Sequence, residues 1–470
     1  MTFIRTKIIC TIGPSTDSLS MLRKLYKAGM NVVRINMSHA THKYAASIIS
    51  KINKINNETD HLKQKIAILL DTQGPEIRTG DTSLPIDLEV GDEVTLTVRD
   101  QVDVETSSIK VNYKDLVHSV DVGSQISVDN GLINFKVLSK DSETLLCKVL
   151  HGGKLGSKRH VNLPGVRINL PSITSKDIED INFGIKYNVD FIAASFVRNK
   201  NDLEILDEIL KNKQSQIKII AKIENHDGLN NIDEICQMAW GVMVARGDLG
   251  IETSLTDLPN IQRKIMFACA KWGRRSIVAT HLLESMINNP TPTRAEVTDI
   301  ANAIYEGADA VMLSGETGVG KYPEDCVNFL KSISNKTEKF KTLGYQKNLI
   351  TESDWEYIAV AAKNLAESIN ADGIIAVTRT GATAYYISNS KPDGIPIFTF
   401  TNNISTLKQL SLVGSTLSFY TPRLNNHEKT LKVAKKVLND YFKKKNNLKF
   451  IMVSGIFSED HSEAIQIINF

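Results

Sequence analysis

The sequence has few cysteines, no long apolar run and almost no excess of charge, and each absence argues against a class of protein. Its five cysteines are odd in number, dispersed and without metal-site spacing, which favours reduced core residues in a cytoplasmic protein. No apolar stretch approaches the length of a membrane span, and the first residues lack the apolar core of a signal peptide. Basic and acidic residues nearly cancel, giving a net charge of +3, so no nucleic-acid or membrane partner is expected.

Apolar runs that alternate with amphipathic stretches predict the main architecture of this 470-residue chain. Eight of these runs resemble buried parallel strands, and helical patterns separate most of them. The runs lie at 7–13, 31–38, 66–72, 191–198, 218–224, 241–248, 276–285 and 310–316. Eight such βα units predict a (β/α)8 TIM barrel, which belongs to the α/β class.

Two regions break this rhythm and predict additional domains. Short alternating runs at 93–99, 125–130 and 132–137, separated by turn signals, predict a small β-barrel lid domain inserted after the third barrel strand. A new α/β rhythm near the end predicts a C-terminal α/β regulatory domain, with strands at 373–378, 395–401, 416–420 and 449–455. The predicted bounds are 1–72 and 171–340 for the barrel, 73–170 for the lid and 348–470 for the C-terminal domain.

Polar residues stand at or just past the C-terminal ends of the predicted barrel strands. They are Arg34, Asn36, Asp71, Arg198, Lys222, Glu224, Asp248, Thr280 and Glu316. Barrel enzymes place their active sites at that face, so this many polar strand ends predict one large site. A divalent cation held by Glu224 and Asp248, with Lys222 beside it, would stabilise the buried charge and suit phosphate or carboxylate chemistry. The alternative is a purely structural set of salt bridges, which rarely stabilises a protein interior.

Three other motifs can be explained by structure alone as well as by function. Residues 315–322 nearly form a P-loop, but Tyr322 replaces the Ser or Thr that binds magnesium, so a glycine-rich turn is favoured. His39 and His42 lack a third ligand at metal-site spacing, and Lys443, Lys444 and Lys445 suit a solvated helix end.

A turn after the first C-terminal strand could bind phosphate. Its residues are Thr378, Arg379, Thr380, Gly381, Ala382 and Thr383. Free backbone N–H groups and three hydroxyls at a helix start would form a phosphate cradle, whereas a capped βα turn is an equally good interpretation of these residues.

Ten segments make the chain resemble pyruvate kinases, and the similarity runs nearly end to end. The segments are 6–14 (TKIICTIGP), 34–39 (RINMSH), 70–80 (LDTQGPEIRTG), 155–158 (LGSK), 161–165 (VNLPG), 219–225 (IIAKIEN), 242–250 (VMVARGDLG), 284–286 (ESM), 290–296 (PTPTRAE) and 313–317 (LSGET). The resemblance implies transfer of the phosphoryl group of phosphoenolpyruvate to ADP, which yields pyruvate and ATP in the last step of glycolysis. It also implies the three-domain architecture that the strand rhythm predicts.

The resemblance also implies roles for individual residues. Lys222, Arg34 and Thr280 would be catalytic, with Arg34 and Lys222 at the phosphoryl group and Thr280 near the carbon that receives a proton. Glu224 and Asp248 would hold Mg²⁺ or Mn²⁺. The K⁺ ligands would be Asn36, Ser38, Asp71 and Thr72. Backbone N–H groups of Arg246, Gly247 and Asp248 would bind the substrate carboxylate. The nucleotide contacts would be Asn36, His39, Arg78, Lys158 and Arg159. A cytoplasmic, allosteric homotetramer is the expected assembly.

Four departures from the family pattern affect the nucleotide and proton-transfer details without removing a metal ligand or Lys222. They are Gln73 for Lys, Asn130 for Asp, Arg159 for a second Lys and His281 for Gln. Two other functions remain open on the residues alone: a magnesium-dependent lyase of oxo-acids on a similar barrel, and a non-catalytic metabolite-binding protein. The predicted lid argues against the first, and Lys222 beside two metal ligands argues against the second.

Overall fold

The chain forms three bodies of secondary structure in this computed structural model, and the second is inserted within the first. The structure describes residues 3–59, 64–82, 84–99, 108–129, 131–166, 170–422, 427–443, 447–454 and 464–470. The predicted fold class is confirmed, with a closed parallel barrel, a separate curled sheet and a C-terminal α/β domain. None of the helices in these ranges is long and apolar enough to cross a membrane.

The first part of the barrel contains three strands and two helices. They are β1 (Lys7–Thr11), α1 (Leu19–Ala28), β2 (Val32–Asn36), α2 (His42–Glu58) and β3 (Ala67–Asp71). Side-chain caps fix where both helices begin, since Ser18 Oγ accepts a hydrogen bond from Met21 N and Thr41 Oγ1 accepts one from Tyr44 N. Each of these helices follows a barrel strand, so the loops before the caps lie on the side of the barrel where the strands end.

The lid lies between β3 and the second part of the barrel. Its elements are β4 (Ile86–Leu88), β5 (Glu93–Thr97), β6 (Ser108–Lys110), α3 (Leu116–Ser119), β7 (Gln125–Val128), β8 (Ile133–Lys140), β9 (Thr144–His151), β10 (Gly153–Leu155) and β11 (Val161–Asn162). Six strands form one sheet in the order β11-β7-β8-β9-β5-β6, and β10 pairs with β4. The sequence pattern predicted three of these strands and missed the others, of which several have only two or three residues.

The second part of the barrel supplies the other five strands. It contains α4 (Ser175–Lys186), β12 (Phe191–Ala194), α5 (Lys200–Asn212), β13 (Lys218–Ile223), α6 (His226–Asn230), α7 (Ile232–Met238), β14 (Gly241–Ala245), α8 (Arg246–Glu252), α9 (Leu258–Lys271), β15 (Arg275–Ala279), α10 (Arg294–Tyr305), β16 (Ala310–Leu313), α11 (Gly315–Gly318) and α12 (Pro323–Thr337), with 3₁₀ turns at Glu284–Ile287 and Tyr345–Asn348. The glycine-rich segment that nearly forms a P-loop contains α11 and leads into α12, which begins at Pro323.

The barrel closes in the order β1-β16-β15-β14-β13-β12-β3-β2, and all its strand pairs are parallel. Its strands are buried on both faces, which explains their nearly continuous apolar runs. Phe191 and Met243 help to fill the barrel interior, while residues such as Ile35 and Val244 pack against the helices. A filled interior leaves the loops beyond the strand ends as the place for a site.

The C-terminal domain is a five-stranded sheet flanked by helices. It contains α13 (Asp354–Ser368), β17 (Gly373–Val377), α14 (Ala382–Asn389), β18 (Ile397–Thr401), α15 (Ile404–Gln409), a 3₁₀ turn (Leu410–Leu412), β19 (Thr416–Tyr420), α16 (His427–Tyr441), β20 (Lys449–Ser454) and β21 (Ala464–Asn469). The sheet order is β19-β18-β17-β20-β21, with only β21 antiparallel to its neighbour. This last strand was not predicted, because its partly exposed residues do not form a buried apolar run.

Lysines of the C-terminal domain contact the N-terminal face of the barrel, opposite the mouth. Lys408 Nζ lies 2.9 Å from Asp190 Oδ1, and Lys391 Nζ pairs with Asp309. These two aspartates directly precede β12 and β16 and are buried. From the barrel side, Lys7 Nζ donates to the carbonyl oxygen of Thr416 at 2.6 Å. Ion pairs and a charged hydrogen bond therefore hold this domain against the N-terminal face of the barrel.

Candidate active site

A cleft of about 440 Å³ lies between the lid and the C-terminal ends of the barrel strands. Its lining is almost entirely polar and comprises Arg34, Asn36, Ser38, His39, Gln73, Glu76, Arg78, Asp129, Ser157, Lys158, Arg159, His160, Ser195, Phe196, Lys222, Glu224 and Asp248. Ten of the residues predicted for the site are therefore neighbours in one cavity. Parallel register explains this convergence, since Asn36 pairs with Asp71 and each strand presents its last residues at the same edge.

Lys222 forms the centre of the charged groups at the barrel mouth. Its Nζ lies 3.1 Å from Asp71 Oδ1 and 3.0 Å from Glu224 Oε1, and it donates a hydrogen bond to Ser195 Oγ at 2.6 Å. Burial alone would lower the pKa of Lys222, but the two carboxylates outweigh burial and hold that pKa above its ordinary value. Lys222 is therefore a permanent positive charge at a buried position.

Asp71 holds both of the catalytic cations that the sequence predicted. Arg34 Nε and one of its Nη atoms each lie 2.6 Å from Asp71 Oδ2, while Lys222 occupies the other carboxylate oxygen. Burial opposes ionisation of Asp71, yet Lys222 and Arg34 together lower the pKa of this carboxyl. The two cations are thereby fixed side by side, which is the arrangement that a dianionic phosphoryl group requires.

Glu224 is a buried carboxyl group and Asp248 is a partly exposed one, and together they have too little positive charge around them. Burial raises the pKa of Glu224 to about 7, with Lys222 opposing and Asp248 adding to the rise. Burial also raises the pKa of Asp248. Glu224 Oε2 accepts one hydrogen bond, from the backbone N–H of Phe196 at 2.7 Å. A divalent cation between these two groups would supply the missing charge.

The two carboxylates suit a magnesium or manganese ion that takes its other ligands from water and substrate. They suit less well a metal whose ligands are all protein side chains. Within the described ranges, no three His, Cys, Asp or Glu side chains could hold a metal ion together. Mg²⁺ commonly takes one or two carboxylates and completes its shell with water and substrate oxygens. The pair Glu224 and Asp248 matches that pattern.

The four predicted K⁺ ligands lie at the ends of β2 and β3 and on the loops that follow these strands. Asn36 and Ser38 line the cleft, and Asn36 Oδ1 accepts a hydrogen bond from Ser38 N at 3.1 Å. Asp71 and Thr72 lie deeper and do not line it, and the Thr72 carbonyl oxygen accepts a hydrogen bond from Ser195 Oγ at 2.7 Å. The oxygens are close together along these loops, with the Met37 N–H bonded to the Asp71 carbonyl at 2.9 Å.

The predicted carboxylate-binding turn begins helix α8 at the end of β14. The Gly247 N–H donates to Thr280 Oγ1 at 2.8 Å, so two predicted substrate contacts are bonded to each other here. The Arg246 side chain points away from the cleft and pairs with Asp299 at 2.7 Å. Thr280 has a φ of +67° and His281 a φ of +54°. A left-handed β-branched residue costs about 1–3 kcal/mol, and such strain clusters at functional sites.

The lid side of the cleft carries the predicted nucleotide contacts. Arg78 is held by Glu76 Oε2, which lies 2.7 Å from Arg78 Nε and 3.1 Å from Gln73 Nε2. Arg159 Nη1 lies 3.4 Å from Asp129 Oδ1, while Lys158 is largely exposed. His39 also lines the cleft. Asn130, the predicted departure in the lid turn, lies outside the described residues.

Ser195 and His160 belong to the site, yet the sequence analysis did not identify them. Ser195 Oγ accepts a hydrogen bond from Lys222 and donates one to the Thr72 carbonyl, so it links Lys222 to the loop after β3. His160 comes from the lid, and its Nδ1 lies 3.7 Å from Asp248 Oδ1. Burial lowers the pKa of His160. A polar residue just past the apolar run of β12 was the available signal for Ser195, whereas nothing in the sequence places His160 beside Asp248.

Two predicted strand-end residues lie elsewhere. Arg198 pairs with Asp202 on α5 at 3.3 Å, and Glu316 accepts backbone hydrogen bonds from Leu283 and Ser314. Neither residue lines the cleft, so both side chains stabilise loops around the barrel mouth through these bonds. His42 likewise has a structural partner, with its Nε2 2.7 Å from Asp180 Oδ1.

The predicted phosphate cradle is a tight turn between β17 and α14. Thr378 is buried, and its Oγ1 accepts a hydrogen bond from Gly381 N at 2.9 Å, while Arg379 and Thr380 are exposed. Gly381 has a φ of +92°, and a Cβ there would lie 2.5 Å from the Tyr385 ring, so the position requires glycine. One predicted hydroxyl is thus occupied within the turn, and residues 455–463, which follow β20 in the sequence, lie outside the described ranges.

Comparisons with known proteins agree with this geometry. Residues 3–327 match the family model "Pyruvate kinase, barrel domain" and residues 356–468 match "Pyruvate kinase, alpha/beta domain". The chain is 45% identical over 420 residues to a pyruvate kinase of Staphylococcus saprophyticus, and 43% identical over 416 residues to one of Staphylococcus aureus. Each alignment covers 87% of this chain and 70% of the relative. A crystal structure of a pyruvate kinase from Cryptosporidium parvum superposes with a TM-score of 0.93 at 33% identity, covering 99% of this chain and 96% of that one.

Proposed function

The chain belongs to the pyruvate kinase family, and we propose that Lys222, Arg34 and Thr280 are the catalytic residues of its reaction. The enzyme is a phosphotransferase that moves the phosphoryl group of phosphoenolpyruvate to ADP, giving pyruvate and ATP in glycolysis. The observation that carries the residue assignment is the placement of Lys222 and Arg34 on the two oxygens of Asp71, facing a polar cleft.

Positioned positive charge is the main catalytic device that we propose. A phosphoryl group in transit spreads negative charge over its oxygens and asks little covalent chemistry of the protein. Lys222 would stabilise the phosphoryl group and the developing enolate oxygen, and Arg34 would bind the phosphoryl oxygens. Because Asp71 orients both cations before substrate binds, little reorganisation accompanies the reaction.

A divalent cation and a K⁺ ion would add to the positive charge of Lys222 and Arg34. Glu224 and Asp248 would hold Mg²⁺ or Mn²⁺, which supplies Lewis acidity toward phosphoryl and enolate oxygens when bound. A K⁺ ion is assigned to Asn36, Ser38, Asp71 and Thr72, whose amide, hydroxyl, carboxylate and carbonyl oxygens are hard donors that suit an alkali ion. The high pKa of Glu224 supports the divalent site, because Lys222 alone does not offset the burial of that carboxyl and the nearby carboxylates of Asp248 and Asp71.

Substrate and nucleotide contacts follow from the two sides of the cleft. The backbone N–H groups of Arg246, Gly247 and Asp248 would bind the substrate carboxylate. The carboxylate would replace Thr280 Oγ1 as the acceptor of the hydrogen bond from the Gly247 N–H. That exchange would free the Thr280 hydroxyl at the side where the enolate carbon is protonated. The nucleotide contacts are assigned to Asn36, His39, Arg78, Lys158 and Arg159. Closure of the lid excludes water, which would otherwise compete for the phosphoryl group.

A coupled assay of pyruvate formation tests this function directly. Purified protein with phosphoenolpyruvate, ADP, Mg²⁺ and K⁺ is expected to form pyruvate and ATP together. A magnesium-dependent lyase would release a product without ADP, and a metabolite-binding protein would bind without turnover. Pyruvate that forms independently of ADP would therefore contradict the phosphotransferase assignment.

Divalent-cation binding is expected to weaken as the pH falls through about 7. Burial raises the pKa of Glu224 to about 7, so below that pH the free enzyme carries a protonated carboxyl that cannot bind a cation. Affinity is then lost by up to about tenfold per pH unit below the pKa, and it is retained above the pKa. Electron paramagnetic resonance of free Mn²⁺ at about pH 6 and about pH 8 measures this.

The Glu224→Gln variant is the control for this pH dependence. It should bind Mn²⁺ weakly at both values, because its side chain has no proton to lose. Equal Mn²⁺ affinity of the unmodified enzyme at both pH values would contradict the raised pKa of Glu224.

Weak or absent activation by fructose 1,6-bisphosphate is a further prediction. The turn formed by Thr378, Arg379, Thr380, Gly381, Ala382 and Thr383 is proposed as the site of one effector phosphate. Glu459 and Asp460 in the segment after Gly455 would repel a second phosphate, although that segment lies outside the described residues. Titration of the bisphosphate and a sugar monophosphate against the phosphoenolpyruvate saturation curve measures both effects. Strong activation by the bisphosphate would contradict the repulsion argument.

We further propose a cytoplasmic homotetramer with no nucleic-acid or membrane partner. Support comes from family membership and from the near-neutral net charge of +3. Light scattering after size-exclusion chromatography measures the assembly, and a monomer at working concentration would contradict it.

A further inference from the structure

The first turn of α4 contacts both of the loops that carry the proposed K⁺ ligands. Lys176 Nζ donates to the carbonyl oxygen of Met37 at 2.8 Å. Its neighbour Asp177 accepts a hydrogen bond from Gly74 N, 3.0 Å from Oδ1. Met37 stands between Asn36 and Ser38, and Gly74 follows Asp71 and Thr72 by a few residues. Two consecutive residues of one helix are therefore hydrogen-bonded to the two loops that carry the proposed K⁺ ligands.

Neighbouring groups fix each of these contacts. Asp180, buried one turn along α4, accepts from Lys176 Nζ at 2.8 Å and also contacts His42, whose ring stacks on Phe183 at 4.6 Å. Lys176 is thus oriented toward Met37, although its side chain is 45% exposed.

Asp177 is also fixed by the N-terminus of its own helix. Its second oxygen, Oδ2, accepts from Thr174 N at 2.9 Å as part of a capping box. Each Asp177 oxygen therefore has a separate role, one at the helix start and the other at the loop after β3. Gly74 has a φ of +74°, and a Cβ there would lie 2.8 Å from Ser195 Cβ, so that loop has little freedom to relax if the contact is lost.

We propose that Lys176 and Asp177 are positioning residues that set the spacing of the monovalent-cation site, and through it the affinity and selectivity for K⁺. The inference rests on the proposed K⁺ ligands. Neither side chain need touch the ion. Lys176 acts through the Met37 carbonyl on Asn36 and Ser38, and Asp177 acts through Gly74 on Asp71 and Thr72. Selectivity among alkali ions depends on cavity size and on the rigidity of the donors, which is what this turn would control.

A positioning role and a simple charge effect predict opposite results for Lys176→Met. Removing a positive charge near a cation site would tighten K⁺ binding if only charge mattered. Loss of the Met37 contact would instead loosen the loop after β2. Outer partners of metal ligands typically change metal affinity by 10–100-fold, so we expect the K⁺ activation constant to rise about tenfold.

The test compares the unmodified enzyme, Lys176→Met, Lys176→Arg and Lys186→Met. Lys186→Met is the matched control, because it makes the same chemical change at an exposed position of the same helix. Potassium chloride is titrated at constant ionic strength against tetramethylammonium chloride, and Na⁺ and Rb⁺ are titrated in the same way. Two properties are followed: turnover, and the melting temperature as a measure of ion binding without catalysis.

For Lys176→Met we expect the K⁺ constant to rise in both measurements, the preference for K⁺ over Na⁺ to shrink and kcat at saturating K⁺ to stay within about twofold. Lys176→Arg should keep the K⁺ constant near that of the unmodified enzyme, since arginine can also donate to the Met37 carbonyl. Lys186→Met should leave the K⁺ constant unchanged. An unchanged or lower K⁺ constant in Lys176→Met would overturn the inference while leaving the proposed site intact. If the unmodified enzyme did not respond to K⁺, the proposed site itself would be wrong and this inference would fall with it.

Discussion

Replacement of Lys222 by methionine is expected to abolish phosphoryl transfer while leaving the fold intact. Lys222 is the buried cation between Asp71 and Glu224, and Lys158, largely exposed on the lid, is the one other lysine that lines the cleft among the residues the structure describes. Loss of one electrostatic contact at a developing charge typically costs about 10²–10³ in rate. We expect a loss of about 10³ or more in kcat, because Lys222 would contact both the phosphoryl group and the enolate.

The barrel should tolerate this substitution because Arg34 still pairs with Asp71. Methionine also approximates the volume of the lysine stem. Lys218→Met is the matched control, since Lys218 lies at the opposite end of the same strand, β13. Circular dichroism should be unchanged for both variants, and steady-state kinetics should separate them. A Lys222→Met enzyme that turns over at close to the normal rate would refute the catalytic assignment.

Removal of K⁺ is expected to reduce turnover of the unmodified enzyme by about a hundredfold, the size of one lost electrostatic contact. Asp71 and Glu76 bring negative charge to the region where an anionic substrate binds, and Arg34, Lys222 and Arg78 are already paired with them. Without a further cation, the phosphate and carboxylate of the substrate would meet this charge uncompensated, so affinity should fall together with kcat. The assay uses tetramethylammonium or sodium buffer, with potassium chloride added back at constant ionic strength.

The Glu76→Lys variant tests the electrostatic explanation of this dependence. It replaces the carboxylate that holds Arg78 and Gln73 with an ammonium group in the same cleft. Partial activity without K⁺ would support the idea that a fixed charge can replace the ion. Glu76→Gln is the control, since it removes the negative charge without adding a positive one. Full activity of the unmodified enzyme in tetramethylammonium would contradict the requirement.

The sequence predicts the barrel well because its signals are local. Buried parallel strands are apolar on both faces, so each appears as a continuous run, and the polar residue that ends the run marks the mouth. Lys222, Glu224 and Asp248 were identified in this way, and all three line the cleft. The bounds are less well predicted, as for the run at 276–285, where β15 ends at Ala279. The backbone turns left-handed at Thr280, and apolar character alone does not reveal that turn.

The parts of the site that the sequence could not predict depend on residues brought together by folding. Asp71 holds Arg34 and Lys222 simultaneously, yet Lys222 comes from a strand 151 positions later in the chain. His160 reaches Asp248 only because the lid sits over the barrel mouth. Such pairings follow from strand order in the closed sheet and from the position of the inserted domain. Neither is encoded in the spacing of one short segment.

The lysines beneath the barrel mean that the catalytic half is not a free-standing module. Asp190 and Asp309 are both buried, and each has its counter-charge on the C-terminal domain, at Lys408 and Lys391. A truncated enzyme that ended at the linker would lose both ammonium groups and leave two carboxylates at this face without them. Exchange of the C-terminal domain for that of a relative is expected to destabilise the enzyme if the donor lacks a cation at either position. These two ion pairs couple the stability of the barrel to the C-terminal domain, whatever ligand that domain binds.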